Sequence, residues 1–167
     1  VSMNYQLNMR LKEKVIGFDK RKDNFEVKST GETYTSKNLI IATGFYDYAK
    51  LLNIPGEELN KVKHYYQDPH PYFNQKVAVI GAANSAVDAA LELWRKGAKS
   101  VTMVIRENAI SERVKYWVRP DILNRIKEGS IQAYFESECT EIQEKHLCIM
   151  QNGKEFKIAN DAVLALT

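Results

Sequence analysis

Apolar and polar positions along this chain follow two rhythms, and the places where one gives way to the other mark its elements. Near the start Tyr5, Leu7, Met9 and Leu11 alternate with polar residues, a period of two that predicts a half-buried strand. Val15–Phe18, Phe25–Val27 and Thr33–Thr35 follow as short strands. The polar turn 20–24 and Ser29-Thr30-Gly31-Glu32 separate them. This meander is too short to bury a core by itself. Leu39-Ile40-Ile41 then reads as a continuous apolar strand ending in Ala42-Thr43-Gly44. A connector with Pro55-Gly56 covers 53–63. The aromatic stretch His64–Phe73, with Pro69 and Pro71, predicts an extended loop, since proline resists a helix interior.

The rhythm changes at Lys76–Gly97. Val77-Ala78-Val79-Ile80 has the composition of a buried parallel strand, and Gly81 turns the chain. Val87, Ala90, Leu91 and Trp94 then recur at i, i+3, i+4 and i+7, one face of a helix. Asn84 and Ser85 lie where an N-cap is wanted, and Gly97 suits the C′ position. Val101–Ile105 predicts the next strand. Arg119-Pro120-Asp121 opens a second helix, with Ile122, Leu123 and Ile126 inward and its end at Gly129. Ile131–Phe135 is a third strand. Cys139–Ile142, His146–Met150 and, beyond the Asn152-Gly153 turn, Phe156–Ile158 form an antiparallel set. Asp161–Thr167 closes with a buried strand. The order predicts an α/β fold: βαβαβ, a β-meander, then a closing strand.

Composition narrows the function without naming it. At 167 residues the chain is one domain, or one with a piece of another. A net charge of +3 is too small to point to nucleic acid, and the run Lys20-Arg21-Lys22 falls in a solvated turn. No apolar stretch approaches the roughly 20 residues of a membrane-spanning helix. A secretory signal pattern is absent too. Cys139 and Cys148 stand nine positions apart, neither a redox C-x-x-C nor a disulfide framework, so a reducing cytoplasm is expected. The histidines lack metal-ligand spacing, and no side chain reads as a catalytic acid, base or nucleophile. Position 1 is valine, and the last residues have a core-strand composition. The chain therefore reads as part of a longer protein.

Chemistry gathers at the strand, turn and helix around Gly81. A small-residue turn between a strand and a helix opens a dinucleotide-binding βαβ unit, where the helix N-terminus receives a pyrophosphate. The motif G-x-G-x-x-G/A appears as Gly81-Ala82-Ala83-Asn84-Ser85-Ala86. Gly81 suits the tight turn and Ala86 the close helix packing. The middle glycine is replaced by Ala83, whose methyl would shift or weaken a bound phosphate. Without a ligand the stretch is an ordinary α/β turn. Arg106 falls 25 positions after Gly81, close to where such sites read the ribose, with Arg113 and Lys115 in the same loop. A cation there pairs with the 2′-phosphate of NADPH. Glu107, as an acid on the ribose hydroxyls, would favour NADH instead. A solvated loop is the alternative to both. Small residues at Ala42-Thr43-Gly44 allow the close approach of a cofactor, although a buried strand with a glycine turn needs them as well.

The order of parts resembles the two-dinucleotide-binding flavoproteins, and within them the thioredoxin-reductase-like group. The likeness is nearest to the bacillithiol disulfide reductases. It is carried by His64-Tyr65-Tyr66, His70-Pro71-Tyr72, Asn84–Ala90 and Lys115-Tyr116-Trp117-Val118 before Pro120. The resemblance implies that residues 1–60 are the β-meander and linker of an FAD-binding domain, and that 61–167 form a Rossmann-like NADPH-binding domain. It places Gly81, Ala82, Ala83, Asn84 and Ser85 at the NADPH pyrophosphate. Arg106 goes to the 2′-phosphate, with Arg113 and Lys115 as further candidates. Ala42, Thr43 and Gly44 would face FAD. The implied enzyme passes hydride from NADPH to flavin and then reduces a small-molecule disulfide. A homodimer is a candidate assembly. Two departures stand out: the C-x-x-C of thioredoxin reductases is missing, and Glu107 replaces their second basic residue. A flavin-dependent monooxygenase, or a non-catalytic NAD(P)-sensing module, would share the same order of parts.

Overall fold

The computed structural model describes residues 7–44 and 48–167. The chain packs as two compact units, Val1–Phe45 and Tyr46–Thr167. The connector 53–63 packs within the second of these units.

In the first unit β1 (Val15–Lys20), β2 (Phe25–Ser29) and β3 (Thr33–Ser36) form an antiparallel meander in chain order. Turns close where the polar clusters predict them, with Arg21 N–H donating to Asn24 O at 2.8 Å and Ser29 N–H to Glu32 O at 3.0 Å. Glu13 ties the lead-in of β1 to the β2–β3 turn. Its carboxylate accepts from the Ser29 hydroxyl and, at 2.7 Å, from Tyr34. Those hydroxyls hold it below the usual carboxylate range, Ser29 contributing most.

Two expected strands do not form. In the alternating segment Tyr5 lies outside the described residues, and Leu7–Leu11 is irregular and exposed. Leu39–Ile41 is also irregular, with Ile40 88% exposed. An apolar rhythm states which face wants burial, but a strand also needs a neighbour to complete its ladder. Neither segment pairs with one among the described residues.

The second unit is built on a five-stranded parallel sheet, β4 (Val62–Lys63), β11 (Ala162–Ala165), β5 (Lys76–Ile80), β6 (Ser100–Val104) and β7 (Gln132–Tyr134), neighbours in that order. All four pairings are parallel. Helices α1 (Asn84–Arg95) and α2 (Arg119–Lys127) make the crossovers β5–β6 and β6–β7. On the other side lies an antiparallel sheet of β8 (Ser137–Ile142), β9 (His146–Gln151) and β10 (Lys154–Ala159).

Alternation within the parallel strands assigns the two layers. Val77, Val79, Met103 and Leu164 pack with Val87, Ala90, Leu91 and Ile122 of the helices. Ala78, Ile80, Val163 and Ala165 pack with Ile142, Leu147 and Ile149 of the antiparallel sheet. The central strands are buried on both faces, which is why they read as continuous apolar runs. The β9–β10 hairpin turns at Asn152-Gly153, both at positive φ as that dipeptide favours.

Three smaller expectations are corrected. The N-cap of α1 is Ala83, not Asn84 or Ser85, and it makes no side-chain capping bond. Leu123 points outward, 38% exposed, because α2 rests on the sheet through Ile122. The stretch His64–Phe73, expected to be extended, is an irregular run of bends that includes a 3-10 turn, His70–Tyr72. The strand β4 carried no usable signal, since two residues cannot display a period.

Candidate functional site

A cleft of about 580 Å³ opens at the C-terminal edge of the parallel sheet, where β5, β6 and β11 end. Ligands of α/β sheets bind at that edge. Gly81 N–H donates to Val104 O at 3.0 Å, and Leu166 N–H to Ile80 O at 2.9 Å, so the turn leaving β5 is clamped by both neighbouring strands. Gly81 sits at φ +130, and a Cβ there would run into the Leu166 carbonyl oxygen. That Cβ would also lie 3.3 Å from the Ala86 methyl. The first and third small positions of the motif therefore answer to steric demands of the fold itself. Ala83 differs: its backbone is extended, at φ −90 and ψ −176, and any residue adopts it.

The start of α1 faces the cleft in a condition suited to an anion. Its first turn holds no acidic residue and no side chain caps it. The leading N–H groups of a helix have no intrahelical acceptor and carry the positive end of its dipole. Gly81, Ala82 and Ala83 line the cleft. Ser85 is exposed beside them.

Asn84 has a different occupation. Its Nδ2 donates to Arg113 O at 3.1 Å, and its Oδ1 accepts from Lys115 N–H at 3.0 Å. One turn further along, Asp88 pairs with the Lys115 ammonium at 2.9 Å. Two residues of one helix face thus fasten the loop after β6 to the start of α1. Fastened in this way, the loop presents Arg113 to the cleft, whereas the Lys115 ammonium is engaged on the helix. Arg106 lines the cleft at the end of β6, with Glu107 and Glu112. The structure therefore brings together Gly81, Ala82, Ala83, Arg106 and Arg113. Ala42, Thr43 and Gly44 belong to the other compact unit, all exposed, with Gly44 at φ +71 in open space.

Arg119, the first residue of α2, also lines the cleft, and motif spacing did not reveal it. The one sequence trace of it is a cation placed at a helix N-terminus, where the dipole disfavours it. A smaller cleft of about 290 Å³ adjoins the first. It shares Ile80, Arg106 and Thr167 and adds Leu51, Ser137 and Cys139. Burial pushes the Cys139 thiol up to about 12, and Cys148 is raised by the same cause. Both cysteines are unpaired thiols, protonated near neutral pH, and unsuited to a thiolate's chemistry. No cluster of metal-ligating side chains occurs among the described residues. None of the helices described is long and apolar enough to cross a membrane.

The chain matches the family model described as pyridine nucleotide-disulphide oxidoreductase over residues 1–167. It is 42% identical over 144 residues to the bacilliredoxin reductase Bdr of Bacillus subtilis (strain 168), covering 86% of this chain and 44% of that protein. The bacillithiol disulfide reductase Bdr (YpdA) from Bacillus cereus superposes with a TM-score of 0.87 at 38% identity, covering 99% of this chain and 52% of that one. Thioredoxin reductase from Lactococcus lactis superposes with a TM-score of 0.73 at 26% identity, covering 92% and 52%. The chain spans about half the length of these relatives. It belongs to the pyridine nucleotide-disulphide oxidoreductase family.

Proposed function

We propose, from that membership, that the chain is the NADPH-binding part of an FAD-dependent, thioredoxin-reductase-like enzyme. Residues 61–167 are the nucleotide lobe. Residues 1–60 are the tail and linker of an FAD-binding domain, with Ala42, Thr43 and Gly44 toward the flavin. NADPH, when bound, supplies hydride to the flavin, whose two electrons reduce a low-molecular-weight disulfide to two thiols. That acceptor class is the one the Bacillus cereus structure is named for. A reducing cytoplasm and a homodimeric assembly go with this reading.

The observation that carries it is the cleft: an uncapped, acid-free helix N-terminus opposite Arg106 and Arg113. A pyrophosphate needs donors and positive potential, and the turn from Gly81 to Ser85 offers both and holds no acid itself, the carboxylates of the cleft being Glu107 and Glu112 on the loop after β6. A 2′-phosphate needs a cation near the end of β6, and Arg106 stands there with no ion pair among the described residues. The protein's part is to bind and orient the nucleotide; the redox chemistry is the cofactors' own. Chemistry at a cysteine of this chain does not enter, since both thiols are held protonated.

Calorimetric titration of the chain with NADPH and NADH tests the reading. Arg106→Ala should weaken NADPH by about tenfold to a hundredfold, the weight of a charge-assisted contact, and leave NADH nearly unchanged. Equal losses for both nucleotides would remove the 2′-phosphate assignment.

A further inference from the structure

We infer that Arg119 is a specificity-determining residue of this cleft, a further cation beside Arg106 and Arg113 for the 2′-phosphate of NADPH. The inference rests on the NADPH reading above. It begins with an imbalance in the cleft. Arg106 is followed by Glu107, so the residue next in line repels a phosphate. Lys115 is held by Asp88 at 2.9 Å. Beside Arg106 and Arg113, one more cation reaches the cleft from elsewhere in the fold.

Arg119 reaches the same cleft as Gly81, Arg106 and Arg113 from a different element. Its Nε is shut off from solvent and donates to no acceptor. A guanidinium has donors only, and with no acceptor at its Nε this one keeps its charge unanswered within the fold while its residue lines the cleft. The arginines around it are spent otherwise. Arg95 pairs with Asp121, and Arg125 pairs with Asp121 at 3.4 Å and with Glu128 at 2.7 Å. Arg125 also stacks on Trp94 at 4.8 Å. Asp121, the acid in the first turn of α2, is thus already taken by these two, and no carboxylate forms an ion pair with Arg119 among the described residues.

The position is also rigid. Arg119 N–H donates to Lys115 O at 3.0 Å, Pro120 follows, and Ile122 anchors the turn in the core. The loop segment before it is fastened to α1 through Asn84. With its backbone fixed, only the side chain of Arg119 has freedom to lose when its planar fork meets a phosphate.

Titration of the chain and of Arg119→Gln and Arg119→Lys with NADPH, NADH, adenosine 2′,5′-bisphosphate and AMP, alongside thermal melting, decides the matter. Arg119→Gln should weaken NADPH and the 2′,5′-bisphosphate about tenfold to a hundredfold and leave NADH and AMP within about twofold. Arg119→Lys should fall between, since an ammonium keeps the charge and loses the fork. The melting temperature of Arg119→Gln should hold or rise, because the arginine's Nε–H gives the fold no bond to lose. Equal weakening of all four ligands, or none, overturns the inference. A wild-type chain that prefers NADPH, loses that preference in Arg106→Ala and keeps it in Arg119→Gln overturns this inference alone. A wild-type chain that binds none of the four overturns it together with the NADPH reading.

Discussion

At the scale of single residues, Gly81 and Ala83 are both small and yet answer to different demands. Gly81 has φ +130, and its missing Cβ leaves room for the Leu166 carbonyl. Gly81→Ala should destabilise the chain by at least about 1–3 kcal/mol, the range for forcing a side chain into such a backbone, before any ligand is considered. Urea denaturation measures this directly, and an unchanged midpoint would contradict the geometry. Ala83 is extended and exposed, so the fold does not ask for glycine there. Ala83→Gly should leave stability within about 1 kcal/mol, the ordinary entropic cost of glycine, and hold or tighten NADPH binding. Only the first of these two requirements belongs to folding; the second belongs to the ligand, which explains how a chain keeps its βαβ turn while departing from the motif.

Among the elements, the junction of α1 with the loop after β6 is the most informative. The expected N-cap role of Asn84 gives way to a tertiary one: both ends of its amide hold the backbone at Arg113 and Lys115. Asn84→Ala should cost roughly 1–3 kcal/mol, two hydrogen bonds at the usual net value. It should also weaken NADPH more than NADH, because the loop carrying Arg113 is released. Hydrogen exchange should speed up at Lys115 N–H, and unchanged exchange there would show that the amide is not the fastening. The elements were legible in proportion to their length and burial. The strands β5, β6 and β11 stand out in the sequence as continuous apolar runs, and α1 between the first two displays a full helical period. Leu7–Leu11 displays a period and Leu39–Ile41 an apolar run too, but neither finds a ladder partner among the described residues, and β4 is too short to display either.

At the scale of the whole molecule, buried acids set how stability answers to pH. The Cys139 thiol is pushed from 9.0 to about 12, chiefly by burial, and burial also raises Cys148, Tyr66 and Tyr72. In the unfolded chain Cys139 loses its proton near pH 9, whereas the folded chain keeps it to about 12. Across that window the folded state holds more protons, so raising the pH draws the equilibrium toward unfolding. The contribution is complete below pH 9 and is lost as the pH climbs to about 12, with the tyrosines adding in the same direction above 10. Urea midpoints should fall across this range, and Cys139→Ala should flatten the decline from 9 upward. An identical slope in the variant would show that the thiol is not shielded.

The sequence by itself determined the α/β class, the order of parts in the second unit and the turn at Gly81, and its spacing pointed to cations at 106 and 113. These are local matters: a period, a turn residue and a spacing are written in neighbouring positions. Only the tertiary structure decided which cations face the cleft. Lys115 stands in the predicted loop and is drawn onto Asp88, whereas Arg119 stands outside the motif and lines the cleft beside Arg106. The physical reason is that a charge takes its partner from whatever the fold brings near, and α1 and α2 meet that loop only in the assembled fold.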